Sequence, residues 1–285
     1  MNKSCKIFSL INLIFLAVFS FTCQAAPKEI KMAILMPAPA KKIHKNWQPL
    51  ADYLTKAMGQ PVKIVTPRGL DQAKSAMANV DFLYANSYLY TLLSKEAKVT
   101  AVAQMKNTGN SIYSQGRFLV RNDSAITKIQ DLKGKKIALI SRYGAGSYLA
   151  PRAALAKNGL EIEKDVKVEY TKNLKKAAYM VMLGEADAAV MCEVNYEILS
   201  KKMNTGDLKF FDKTDAFPEA VMFTPKDPDS EMVKRFQQAL LANSKELENA
   251  MQPLHGMKIQ SFVEYNADIE KRIDQLEEQA GMKKL

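Results

Sequence analysis

The chain has 285 residues, with 41 lysines and arginines against 30 acidic residues, a net charge of +11. That length can bury one large apolar core or two smaller ones. The basic residues are spread along the sequence and do not gather with aromatics into a stripe, so no nucleic-acid partner is expected, and the surplus charge suits anionic ligands or plain solubility.

At the N-terminus, Lys3 and Lys6 precede an apolar run over residues 7–21 that ends near the small residues Ala25 and Ala26. This pattern predicts a cleavable signal peptide over 1–25, because a membrane-spanning helix needs about 20 apolar residues. Lipid attachment at Cys23 is the weaker alternative, since Ser20, Phe21 and Thr22 fit a lipobox poorly. Cleavage removes Cys5 and Cys23 and leaves Cys192 alone, so no intramolecular disulfide can form. The expected location is the periplasm.

The mature sequence alternates short β-rich runs with amphipathic stretches, which predicts an α/β fold with mainly parallel sheets. Ile30, Met32 and Ile34 begin the first strand, Pro37 and Pro39 break it, and Leu50, Leu54 and Met58 form a helical stripe stopped by Gly59. Strands follow near 62, over 80–84 and over 99–105, with helices over 71–78 and to Leu93. The run 116–121 reads as a strand crossing between lobes. Strands at 136–140, 166–170 and 186–191 alternate with helices at 147–157 and 174–183, and 220–223 reads as the return crossing. The remainder, 230–281, reads as largely helical. Two crossings make the first lobe discontinuous, over 26–114 and 221–285, around a second lobe at 118–216. A cleft lined by loops at the strands' carboxyl ends is the natural ligand site.

Within the second lobe, residues 131–151 read as strand, glycine-rich loop and helix start, with Ser141, Tyr143, Gly144, Ala145, Gly146, Ser147 and Tyr148 forming the loop. Unpaired N–H groups and the positive end of a helix dipole favour an anion there, although the same glycines serve equally as a tight turn. Leu149 stands where a dinucleotide fingerprint needs its third glycine, and no Gly-Lys-Ser or Gly-Lys-Thr follows for a phosphate loop. His44 and His255 lack metal-ligand spacing, and Ser141 and Ser147 lack a nucleophile elbow. No cofactor, metal or catalysis is therefore expected. Tyr84 and Tyr113 are candidates to pack on a ligand at the cleft, with Asn86 and Ser87 offering donors at another helix start. Glu193 follows an apolar strand and either faces the cleft or caps the next helix.

Trp47-Gln48-Pro49-Leu50, Asp81-Phe82-Leu83-Tyr84, Asp131-Leu132-Lys133-Gly134-Lys135, Tyr148-Leu149-Ala150-Pro151-Arg152 and Gly184-Glu185-Ala186-Asp187 occur in an order and spacing that resembles the periplasmic substrate-binding proteins of phosphate, phosphite and phosphonate ABC importers. The resemblance covers nearly all of the mature chain. It implies a two-lobe type II periplasmic-binding fold that closes on a ligand as a hinged, monomeric clamp. It also implies a small anionic or zwitterionic ligand and an inner-membrane ABC permease as partner, a membrane sensor being the alternative partner. In that family a Ser-Thr-Ser type loop binds the phosphonate oxygens. The matching residues here are Gly144, Ala145 and Gly146, without hydroxyls, so Ser147 and Ser141 remain as donors, Arg142 can supply charge, and a different ligand is the economical explanation. Glu193 and Asp215 match the neighbourhoods where acids bind the amine of aminoalkyl phosphonates.

Overall fold

The computed structural model describes residues 28–282, apart from the side chains of 193 and 194; the leader expected at 1–25 lies outside the described residues. Strand β1 (Ile30–Ile34) leads past Pro37 and Pro39 into α1 (Ala40–Met58), whose stripe of Ile43, Trp47, Leu50, Leu54 and Met58 is buried. Gly59 ends that helix at φ 66°, a left-handed conformation that glycine adopts without steric cost. Next come β2 (Val62–Val65), α2 (Gly69–Met77), β3 (Phe82–Ala85), α3 (Ser87–Ser94) and β4 (Thr100–Asn107). After β5 (Tyr113–Ser114) and β6 (Gly116–Arg121), the chain forms β7 (Lys136–Leu139), α4 (Ala150–Lys157), β8 (Lys167–Tyr170), α5 (Leu174–Met182), β9 (Ala188–Cys192), α6 (Glu193–Ser200) and β10 (Leu208–Lys213). It returns through β11 (Phe217–Pro218) to β12 (Val221–Thr224), α7 (Glu231–Leu240), α8 (Lys245–His255), β13 (Ile259–Val263) and α9 (Asp268–Gln279).

The two lobes repeat one plan. The first sheet has the order β2-β1-β3-β12-β4-β13 and the second β8-β7-β9-β6-β10. In each, three strands run parallel, and the strand that follows a crossing pairs antiparallel with its neighbours. The sheets are thus mixed and not mainly parallel, because a strand entering from the other lobe runs opposite to those carried by βαβ units. Between the sheets, Tyr113 and Ser114 pair with Pro218 and Phe217 as a two-stranded ribbon. The crossings therefore lie there, while 116–121 and 221–224 belong to the sheets themselves.

Two strands depart from the sequence reading. β13 interrupts the stretch read as helical and pairs with β4, and β10 pairs with β6. Both are edge strands with half-exposed residues, so neither shows a continuous apolar run. The helix expected from 147 also begins later. Residues Ala145–Leu149 form a π-turn, with the Leu149 N–H donating to Gly144 O at 3.2 Å, and α4 starts at Ala150. Pro151 has no N–H to offer Ser147 O, so the regular helical ladder cannot extend back through the loop.

Apolar burial holds each lobe. Phe82 and Phe236 stack at 3.6 Å in the first lobe, beside the buried Trp47, Leu50 and Leu54. In the second, Phe118, Ile137, Leu139 and Val190 are buried together. Each such side chain contributes about 1.5–3 kcal/mol relative to exposure. Helix α9 joins the two cores: Ile269 packs with Leu89 and Phe223 of the first lobe, and Ile273 and Leu276 pack with Leu149 and Phe217. The buried Glu277 pairs with Lys95, the C-cap of α3, at 2.9 Å, and Ala280 O accepts from Arg152 Nε of α4 at 3.1 Å. Among the described residues, no helix is long and apolar enough to cross a membrane.

Candidate ligand-binding site

Strands β3 and β7 both end at the face where the lobes meet, and each hands the chain to a polar turn. Asn86 is the N-cap of α3, where its Oδ1 accepts from Leu89 N at 3.2 Å. The same oxygen accepts from Ala145 N at 3.2 Å, and Nδ2 donates to Tyr143 O at 3.1 Å. One side chain of the first lobe thus engages the glycine-rich loop of the second. Ser87, beside it, is fully buried and donates to Pro218 O at 2.6 Å, tying α3 to a crossing strand.

The loop uses its hydroxyls internally. Ser147 Oγ donates to Ser141 O at 2.9 Å, and Ser141 Oγ accepts from Tyr143 N at 3.1 Å. A side chain at Gly144 would overlap Ser147 Oγ, so glycine there lets the serine fold back. Ala145 is buried, and Tyr143 packs against apolar residues of the first lobe. Tyr148 stacks on Tyr88 of α3 with centroids 6.5 Å apart, while its hydroxyl accepts from Arg152 Nη1 at 2.7 Å. Arg142 turns away to pair with Glu163 at 3.3 Å and to cover the Tyr170 ring at 4.8 Å.

Other expected site residues take no part in this contact between Asn86 and the loop. Tyr84 is buried in the first-lobe core against Trp47, with centroids 4.7 Å apart, and its hydroxyl donates to Met105 Sδ at 3.0 Å. Burial, then the nearby Glu219, raises its pKa well above the usual phenol value, so the hydroxyl holds its proton more tightly. Tyr113 is half-buried on β5, where its carbonyl accepts from Asn107 Nδ2 at 3.1 Å. Asp215 stands 3.9 Å from both Lys157 of α4 and Arg272 of α9, away from the loop. Glu193 opens α6, and its side chain lies outside the described residues.

Sequence reasoning missed Glu219, the carboxylate between β11 and β12. Its Oε1 accepts from Asn107 Nδ2 at 2.9 Å, and burial raises its pKa above the usual carboxylate range against the opposing hydrogen bonds of Asn107 and Ser114. The signal was an acid wedged between Pro218 and the apolar run 220–223. Nearby, burial pushes the Cys192 thiol up to about 12, with Glu219 adding to it. Trp47 Nε1 and Gln104 Oε1 are also buried without a protein partner.

At the other side of the lobe interface, Lys258 Nζ of the first lobe pairs with Glu197 of α6 at 2.6 Å. Lys42 of α1 is held below its ordinary value, first by burial and then by Lys202 of the second lobe. Among the described residues, no group of three histidine, cysteine or acidic side chains is placed to hold a metal. A cavity of about 330 Å³ lies within the first lobe, beside Ser244, Met251, His255 and Phe262.

The sequence model of one protein family, described as the periplasmic substrate-binding protein of phosphonate ABC transporters, matches residues 32–268. The chain belongs to this family. Within the phosphonate-binding family, the chain is 24% identical over 181 residues to the phosphate-import protein PhnD of Mycolicibacterium smegmatis, covering 62% of this chain and 55% of that protein. The tetrathionate sensor histidine kinase TtrS of Salmonella typhimurium is 30% identical over 132 residues, 44% of this chain and 22% of the kinase. The chain thus spans about half or less of these curated relatives. The structure of PhnD1 from Prochlorococcus marinus in complex with methylphosphonate superposes with a TM-score of 0.76 at 16% identity, covering 90% of this chain and 99% of that one. The fold is that of type II periplasmic-binding proteins.

Proposed function

We propose that the mature chain is a periplasmic solute-binding protein that captures a small oxyanion or zwitterion, phosphonate-like in its head group, and delivers it to an inner-membrane ABC permease. The observation that carries this reading is the Ala145 N–H, which meets an oxygen acceptor supplied by the opposite lobe. An anionic oxygen is a stronger acceptor than the Asn86 amide, with charge-assisted hydrogen bonds roughly twice as strong as neutral ones. Ligand entry exchanges Asn86 Oδ1 for that oxygen, and closure then holds the ligand between the lobes. Glu219, which burial holds toward its protonated form, supplies the acid for an amine-bearing ligand by giving up its proton as the amine arrives, in place of Asp215, which is paired elsewhere. The chain acts by binding and not by catalysis, and works as a monomer.

Thermal-shift titration of the purified mature chain tests this with methylphosphonate, inorganic phosphate, ethanesulfonate and acetate. A ligand present at 100 times its Kd adds about 2.7 kcal/mol of stability, which is readily visible. No shift with any oxyanion would overturn the reading.

A second reading has its own support in the match to a sensor kinase at 30% identity. Here the closed clamp docks on a membrane receptor. Deleting the gene separates the two: lost uptake of labelled ligand supports import, whereas a lost transcriptional response with intact uptake supports sensing.

A further inference from the structure

Gly146 lies between a residue of one crossing, Phe217, and Gly116, the first residue of the strand that follows the other. A side chain there would overlap Cζ of Phe217 and stand 2.8 and 3.1 Å from its Cε1 and Cε2, while a side chain at Gly116 would come 3.3 Å from Gly146 O. Phe217 cannot easily withdraw. Its strand β11 pairs with β5, Pro218 O accepts from Ser87 Oγ, and Ala216 O accepts from Arg272 Nε at 2.8 Å. The ring is 6% exposed and shares a core with Ala145, Leu149 and Ile273. Loss of a side chain at 146 is therefore tied to the ring of a hinge residue.

Resting on the loop as the anion cradle, we propose that Phe217 is the specificity-determining residue of this site and that it selects oxyanions with a compact substituent. An oxyanion that takes the Ala145 N–H from Asn86 lies beside Gly146, and the ring edge occupies the space on that flank. On this proposal a compact substituent fits beside the ring, and an aryl substituent needs the space that the ring already fills. The ring rides on a crossing strand, so the size limit is imposed by the hinge and not by either lobe alone.

Calorimetric titration of the native chain and of Phe217→Ala with methylphosphonate and phenylphosphonate tests the proposal. The native chain is expected to bind methylphosphonate and reject phenylphosphonate. Phe217→Ala, with Phe217→Leu as the milder change, is expected to narrow that preference by about ten-fold or more. A ligand-free readout accompanies it: Gly146→Ala should lower Tm in the native background and do so far less in the Phe217→Ala background. Binding with an unchanged size preference in the Phe217 variants overturns the proposal while leaving the anion cradle standing. An equal Tm loss from Gly146→Ala in both backgrounds overturns it as well. If no oxyanion binds any variant, the cradle reading falls and the proposal falls with it.

Discussion

Asn86 Oδ1 and Ala145 N–H meet at 3.2 Å across the two lobes, and the same oxygen caps α3 through Leu89. A single amide thus stabilises a helix and the closed arrangement at once. Asn86→Ala should cost about 1 kcal/mol for the cap and about 1 kcal/mol for each interlobe hydrogen bond. Urea unfolding measures the total, and small-angle scattering should show a larger radius of gyration. Asn86→Asp keeps the cap but sets a carboxylate on the loop, so methylphosphonate affinity should fall by about ten-fold or more. Equal affinity in the two chains would remove the loop from the site.

The ion pair between Lys258 and Glu197 joins the lobes with Glu197 half exposed, so its worth is at most about 1 kcal/mol. Lys258 depresses the Glu197 carboxyl below its usual range. The contribution is therefore present above the unfolded carboxyl value and is lost as pH falls through the lower, folded one. Lys258→Ala should favour the open form most at low salt and neutral pH, and least in strong salt. Scattering at two ionic strengths checks this.

Glu219 should behave in the opposite sense. Burial raises its folded value, so the folded chain holds a proton that the unfolded chain has released, and stability falls as pH rises between the two values. Glu219→Gln keeps an acceptor for Asn107 and removes the charge. It should flatten the Tm profile as pH rises above the ordinary glutamate value of about 4.3, and raise Tm at the upper end of the profile. A steeper profile would show that the buried carboxylate is stabilised as an anion.

Glu277 is buried and its ammonium partner, Lys95, caps the C-terminal end of α3. Lys95→Met strands that carboxylate and should cost about 3 kcal/mol in chemical denaturation, whereas Lys95→Met with Glu277→Met should recover most of the loss. No recovery in the double variant would mean that Lys95 acts through its packing alone.

Much of the fold could be read from residues whose signals are local. Pro37, Pro39 and Gly59 bracket α1, and Asn86 announces the start of α3. The signals failed where neighbours decide. Ile259–Val263 becomes a strand because β4 offers an edge, and no periodicity in five residues separates it from the flanking helices. The glycine-rich loop was recognisable, but the reason for its missing hydroxyls was not, since Phe217 reaches Gly146 only through a crossing far along the chain. Asp215 was drawn to the site by resemblance, yet Arg272 on the last helix claims it. Glu219 went unseen because its depth depends on Asn107 and Ser114 closing over it.

Helix α9 is anchored to Lys95 on one lobe and to Arg152 on the other. The C-terminal end of this helix therefore touches both lobes at once. If the lobes move apart, a dye placed at Gly281 would sit beside contacts to both of them, making the chain its own optical reporter, and a bulky group fixed at the same position would bias the very equilibrium it was added to study.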